Sequence, residues 1–272
     1  MIGIGPFPVH VVAIIAAVHL AWLTARVVAR RLPGMSYKVA GSMILDAVVW
    51  GLVSARLAYV VRWWDEYSAT PMSMIAIGDR GFSWWVGVVV ALAYVWWRTR
   101  LTRTLRGPVL AGVMAGVLAW LVAGGMLDLM QRSAAPLPEL QLGALDGRPV
   151  SLGSYAGRPI VLNLWASWCP PCRREMPVFE QAQAKFPDVA VVLVNQGDSV
   201  QQARAFLESN GLNLTDVLID PASDAMRATG SRGLPATLFF DAQGHMVDSH
   251  LGEITLPSLT DKMLRHFGLF EN

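Results

Sequence analysis

Four apolar stretches, near 8–28, 43–63, 82–98 and 108–128, fill the first half of the chain, each close to the length that a helix needs to cross a bilayer. At about 1.5 Å of rise per residue, roughly 20 apolar residues cover the hydrocarbon core, and inside it only a helix satisfies its own backbone hydrogen bonds. Composition agrees, since 54% of the residues are hydrophobic, 15% are charged and the mean hydropathy is +0.42. That is too apolar for an ordinary soluble protein. Eleven tryptophans fit a chain with several boundaries between apolar and wet surroundings. The first half therefore reads as a membrane α-helical bundle of four transmembrane helices, with the lipid bilayer as its surroundings. The net charge of +2 offers little to a nucleic acid, and none is expected as a partner.

Charge placement gives the orientation. No basic segment precedes the first stretch, whereas Arg26, Arg30 and Arg31 follow it, so it reads as a retained helix whose N-terminus lies outside. The 26–42 connection carries Arg26, Arg30, Arg31 and Lys38, and the 98–107 connection carries Arg98, Arg100, Arg103 and Arg106. By contrast, the 62–80 loop has Arg62 and Arg80 beside Asp65, Glu66 and Asp79, and the segment after the fourth stretch has Arg132. Basic loops stay on the cytoplasmic side. Both termini are thus expected outside, which for a multi-pass protein of a bacterial inner membrane is the periplasm.

From about residue 133 the texture changes, with "SAAPLPEL" as a short Pro-containing linker. The expected domains are 1–132, the four-helix transmembrane domain, and 133–272, a periplasmic α/β domain. "PIVLNLWA" (159–166) and "VAVVLVN" (189–195) are continuous apolar runs, as in strands covered on both faces. Helical patterns near 171–186, 199–210 and 223–229 separate the strands, and "ATLFFDAQGHMVDSHLG" reads as a hairpin turning at Gln243-Gly244. An amphipathic helix from about Leu256 to Phe267 closes the chain. This alternation implies an α/β fold with a mixed central sheet.

The only two cysteines, Cys169 and Cys172, stand in "LWASWCPPCRREMP", where a buried strand runs into the first turn of a helix. There the first sulfur faces unpaired backbone N–H groups and the positive end of the helix dipole, which favour a thiolate. Cys169 is the expected nucleophile, and Cys172, one turn inside, the thiol that resolves a mixed disulfide. Pro170 and Pro171 suit a helix start, where a missing N–H costs nothing. A structural zinc site needs four ligands, and His245, His250 and His266 are distal and wrongly spaced, so no metal is expected. A purely structural bridge over so short a loop gains little. The redox reading is the one left with a physical basis.

"VLNLWASWCPPCRREMP" followed by "GSRGLPATLFFD" resembles the TlpA-like branch of the thioredoxin superfamily, over roughly residues 137–269. The resemblance implies a thioredoxin-like fold and a thiol-disulfide oxidoreductase working without a cofactor. It makes Pro235 the cis-proline facing the active site, against the alternative of an ordinary trans turn proline. It makes Trp168, Pro170, Pro171 and Leu234 the residues contacting a bound peptide. Thioredoxins have a buried Asp six residues before the first Cys, and here that position is Asn163. Glu175 matches the acidic residue of TlpA-like and ResA-like reductases and would exchange a proton with Cys172 or tune the thiol pair. The alternative is an exposed helix Glu paired with Arg173 or Arg174.

The membrane half is similar to the N-terminal portion of prolipoprotein diacylglyceryl transferases, in "IGPFPVHVVAIIAAVHLAWLTARVVARRLPG", "SARLAYVVRWW" and "PMSMIAIGDRGFSWWVGVVVA". In that family a catalytic His and Gly stand where this chain has Trp85 and Val86, and the family's later membrane helices are missing, which argues against lipid transfer. Arg56 matches an Arg of the family, with snorkelling or pairing inside the bundle as the alternative. Gly112 and Gly116, four apart, permit close helix packing. His19 reads as bundle-facing, His10 as interfacial, and Asp46 and Asp128 as lying near helix ends.

The expected function is thus a membrane-anchored thiol-disulfide oxidoreductase acting on protein thiols and disulfides. Reduction is the expected direction, with a disulfide donor or isomerase of the same fold as the alternative. From a different class, the alternatives are a lipid-modifying transferase with an accessory redox domain and a non-catalytic docking protein. No cysteine lies in the apolar stretches, so a membrane redox partner, a thiol transporter or a quinone-linked oxidase, is expected to exchange electrons with the pair.

Overall fold

The computed structural model describes residues 3–4, 7–32, 36–69, 71–75, 77–131 and 136–268. Arg132 and the start of the linker, 133–135, lie outside the described residues, as do the side chains of His10 and Asp128. Packing divides the chain into two compact units, Ile2–Trp64 with Gly81–Ser133, and Asp65–Arg80 with Ala134–Asn272. The second grouping joins a segment from the membrane half to the C-terminal fold.

The helical unit begins with a two-residue ladder, β1 (Gly3–Ile4) against β2 (Phe7–Pro8). It continues with α1 (Val9–Arg30) and α2 (Tyr37–Arg62); the short α3 (Trp64–Ala69) crosses the boundary between the units, and α4 (Trp84–Leu101) and α5 (Arg106–Gln131) complete the bundle. Helix α1 packs on α2 and α5, and α2 packs on α4. Small residues set these contacts. A Cβ on Gly112 would lie 2.6 Å from the Ala21 carbonyl, and one on Gly116 would lie 2.9 Å from Ala21 Cβ, so the two glycines let α5 close on α1. Likewise a Cβ on Gly87 would lie 2.7 Å from the Gly51 carbonyl, where α4 meets α2.

Against four expected spans, three segments of the described residues are long and apolar enough to cross a membrane: Val11–Arg30, Tyr37–Arg62 and Arg103–Gly125. Helix α4 has 18 residues, about 27 Å at 1.5 Å per residue, at the short end of the crossing range. Two polar residues depart from expectation. Asp46 lies well inside α2, because the helix starts at Tyr37, and it accepts a hydrogen bond from Tyr94 at 3.1 Å. His19 is exposed and lies against the Trp22 ring, 5.4 Å between centroids, instead of facing the bundle. Arg56 donates to the Gly81 carbonyl at 2.8 Å and lies over the Phe82 ring, a partner within its own unit.

The C-terminal fold runs β3 (Gln141–Ala144), β4 (Pro149–Ser151), β5 (Ile160–Trp165), α6 (Pro170–Lys185), β6 (Ala190–Gln196), α7 (Val200–Ser209), β7 (Val217–Asp220), α8 (Asp224–Ala228), β8 (Ala236–Phe240), β9 (Met246–Leu251) and α9 (Leu256–Phe267). Its seven strands form one mixed sheet in the order β4-β3-β7-β6-β5-β8-β9. Strands β5, β6 and β7 are mutually parallel, and the other pairings are antiparallel. Every residue of β5 and β6 is buried, as their continuous apolar runs predict. Alternation along them feeds two cores, with Val161, Trp165, Val191 and Leu193 on one face and Leu162, Leu164, Val192 and Val194 on the other. Strands β3, β4 and β7 have no counterpart in the sequence reading, because segments of three or four residues are too short to show a period. Helix α7 starts on a reciprocal cap, in which Ser199 accepts from the Gln202 N–H and Gln202 accepts from the Ser199 N–H.

Candidate functional site

The site is built where β5 leaves the sheet. Its last residues feed Ala166 and Ser167, and the Ser167 N–H donates to the Asp198 carboxylate at 2.8 Å. Asp198 is buried at the end of the neighbouring β6 strand and also accepts from Asn195 Nδ2 at 2.7 Å. This pair ties the loop before the cysteines to the sheet. Neither Ser167 nor Asp198 stands out in the sequence, although "NQGD" directly after an apolar run carries the signal of a polar strand end.

Cys169 is the N-cap of the 16-residue helix α6, in extended conformation, with Pro170 and Pro171 opening the helix. Cys169 Sγ accepts from the Cys172 N–H at 3.3 Å. In the reduced protein that N–H and the helix dipole favour negative charge on the Cys169 sulfur. The two sulfurs are joined as a disulfide. Cys169 is 4% exposed and Cys172 fully buried, so of the two cysteines Cys169 is the residue nearer the surface. Trp168 beside it is exposed, Pro170 is exposed and Pro171 half-buried.

The Leu234–Pro235 peptide is cis. Pro235 is buried, and its carbonyl accepts from the Gly252 N–H at 2.9 Å. Gly252 has φ +103°, a conformation that favours glycine, and it begins the turn from β9 into α9. Leu234 is half-buried and packs on the cluster that contains Cys169 and Cys172. Two elements therefore carry the residues singled out in the sequence, the start of α6 and the segment before β8, and the turn 252–255 is tied to the second of them.

Behind the cysteines lies a buried polar group. Glu175, one helical turn on from Cys172, has no solvent exposure. Its Oε1 accepts from Asn163 Nδ2 at 2.8 Å, and its Oε2 accepts from the Ile254 N–H at 3.0 Å. Asn163 also donates to Thr237 at 3.2 Å, its partner across the β5–β8 register. The surface pairing of Glu175 does not occur. Arg174 instead makes a two-pronged contact with Glu253, at 2.6 and 2.9 Å. Burial pushes the Glu175 carboxyl up to about 8, against the Asn163 and Ile254 hydrogen bonds that favour its charged form. A carboxyl titrating there exchanges protons in the range of an ordinary thiol. His250 is buried nearby on β9, with Nε2 3.1 Å from the Glu253 carbonyl, and burial followed by the Arg80 charge pushes it down to about 4. It is neutral at physiological pH and helps fix the same turn.

A disulfide-bonded cysteine pair at a helix start, a buried carboxyl one turn behind it and a cis-proline segment, all on a mixed sheet, fit a thiol-disulfide oxidoreductase of thioredoxin-like fold. Residues 133–249 match the AhpC/TSA family, and residues 1–126 match the prolipoprotein diacylglyceryl transferase family. The thioredoxin-like protein YneN of Bacillus subtilis is 35% identical over 131 residues, covering 46% of this chain and 75% of that protein. The thiol-disulfide oxidoreductase ResA of Halalkalibacterium halodurans is 30% identical over 125 residues, covering 45% and 68%. A solved structure of a thiol:disulfide interchange protein, DsbE, from Chlorobium tepidum shares 30% identity over 48% of this chain and 95% of that one, with a TM-score of 0.45. The chain belongs to the thioredoxin-like thiol-disulfide oxidoreductases, and its residues 1–126 are similar to prolipoprotein diacylglyceryl transferases.

Proposed function

We propose that this protein is a membrane-anchored periplasmic reductase of protein disulfides. The observation that carries the reading is the buried Glu175 behind the pair. A carboxyl that turns negative beside the thiols disfavours thiolate, destabilises the reduced form and makes the pair a better electron donor. In the reaction, the Cys169 thiolate attacks a client disulfide, forming a mixed disulfide and releasing one client thiolate. Cys172 passes its proton to the Glu175 carboxylate and attacks Cys169 Sγ. The second client thiolate leaves, and the pair is left oxidised. Pro235, Leu234, Trp168, Pro170 and Pro171 would line the path of the client peptide.

Two electrons are spent per turnover, and the chain has no other cysteine to replace them. A membrane redox partner must then recharge the pair, and a thiol transporter fits a reductase. We assign residues 1–132 to the membrane domain and 133–272 to the periplasm, with 65–80 as a periplasmic loop. Asp65–Arg80 packs in the same unit as the C-terminal fold, which supports a common side of the membrane for both. Between that loop and the C-terminal fold, the long helices among the described residues are α4 and α5. If α5 crosses, α4 must cross as well for the chain to return, which supports four spans.

The test is the redox state of Cys169 and Cys172 in growing cells, read by acid quenching and mass-tagged alkylation of membranes. A mostly reduced pair is expected. A pair that stays oxidised while a thiol transporter is active would overturn the direction and favour a disulfide donor.

A further inference from the structure

The segment between α2 and α4 reaches the redox fold with a buried carboxylate. Asp79, 1% exposed, accepts from Tyr67 Oη at 2.6 Å and from Thr255 Oγ1 at 3.1 Å. Its backbone carbonyl accepts from Ser258 Oγ at 2.6 Å. Thr255 is the N-cap of α9, where its hydroxyl accepts from the Ser258 N–H at 3.4 Å. The residue before it is Ile254, whose N–H donates to Glu175. A single peptide unit therefore separates the side chain anchored on Asp79 from the N–H that meets the buried carboxyl behind the cysteines.

A carboxylate taken out of water is costly without hydrogen-bond donors, and Asp79 finds them at the start of α9. We propose that Asp79 is a positioning residue for the thiol-disulfide reaction, anchoring Thr255 and Ser258 so that the Ile254 N–H stays on the Glu175 carboxyl. The inference rests on the reading of Glu175 as the group that exchanges a proton with Cys172. The groups acting on Glu175 are Asn163 from β5 and the Ile254 N–H and Glu253 from the turn before α9, and Cys172 stands one turn before it on its own helix. Glu253 is tied to Arg174, and Arg80, beside Asp79, interacts with Asp248. Of these contacts, the Ile254 N–H is the one that Asp79 controls. Withdrawing it leaves Glu175 protonated to higher pH.

The test uses the full chain in detergent or nanodiscs. It measures the pH dependence of iodoacetamide alkylation of the reduced pair, its reduction potential against glutathione buffers, and Tm. The variants are Asp79→Ala, Asp79→Asn, Glu175→Gln and the Asp79→Ala/Glu175→Gln double. Asp79→Ala is expected to raise the midpoint of the pH profile by about one unit, the size of one lost hydrogen bond to a charged group. Asp79→Asn, which keeps an acceptor, restores most of the profile, and in the Glu175→Gln background the Asp79→Ala shift disappears. A lowered Tm with unchanged profile and potential, or an equal shift in both backgrounds, overturns the proposal. If Glu175→Gln alone leaves the profile unmoved, the reading of Glu175 fails first and takes this inference with it. Should Asp79→Ala not fold, Tyr67→Phe removes one donor to Asp79 with little loss of volume. A smaller shift in the same direction is then expected, and an unmoved profile overturns the proposal.

Discussion

The two units are packed inside out relative to each other. In the helical unit the buried positions include Ala21, Ala25, Ala29, Ala40 and Ala47 beside a few larger side chains such as Met43, Ile44, Tyr59 and Trp63, whereas Leu57, Leu118, Leu121, Trp84 and Trp96 face outward, each more than half exposed. In the redox unit the buried positions include Trp165, Phe179, Phe239 and Phe240, and among its described residues Ile75, Trp168 and Val247 are the large apolar side chains that stand exposed. The difference is the one expected of the proposed arrangement, a helical unit in hydrocarbon and a redox unit in water. In water, apolar area leaving the solvent stabilises the fold, so large side chains go inside. In hydrocarbon that driving force is missing, and helices associate through close backbone approach, which small residues allow. The exposed tryptophan of the redox unit adjoins Cys169, where a client peptide would cover it.

Several substitutions sharpen or break this contrast. The largest effect is chemical: Cys169→Ser should abolish turnover, and Cys172→Ser should trap mixed disulfides through Cys169, both read by diagonal gels under non-reducing and reducing conditions. Equal loss with no trapped partner would break the division of roles. Next, Phe179→Ala should lower the stability of the redox unit by about 3–5 kcal/mol, the cost of a large core cavity. Leu118→Ala, 63% exposed on α5, should cost far less in detergent. Comparable losses in a thermal unfolding series would undo the inside-out description. Gly112→Val reverses the test, because a Cβ there meets the Ala21 carbonyl at 2.6 Å, and forcing α5 from α1 should cost about 1–3 kcal/mol.

A smaller effect appears as a slope. The Glu175 carboxyl sits at about 8 in the fold against an ordinary 4.5, so the folded state binds this proton more tightly than the unfolded chain. Its contribution to stability is complete below about pH 4.5 and is lost as pH rises through 8. Glu175→Gln should flatten the decline of Tm between those limits, and an unchanged slope would assign the decline elsewhere. The smallest effect is expected at the rim, where Arg174→Ala breaks an exposed pair with Glu253 and should shift stability by about 0.2–1 kcal/mol. A larger shift would mean that the turn before α9 depends on that surface contact as well as on Asp79.

Much of the molecule was legible in the amino-acid order. Apolar runs predicted α1, α2 and α5 because solvent sorts residues by length and hydropathy, before any partner is known. The continuous runs of β5 and β6 and the C-x-x-C pair at a strand-to-helix junction carried the fold and the redox chemistry, since each depends on neighbours within a few residues. Four features needed the tertiary structure: the burial of Glu175, the Asn163–Thr237 register contact, the Asp198 tie to Ser167, and the arrival of Asp79 at the start of α9. Asp79 and Thr255 stand 176 residues apart in the chain. Local preference determines which elements form. Whether a carboxyl is wet or dry, and which N–H meets it, is decided only when those elements close on one another and exclude water.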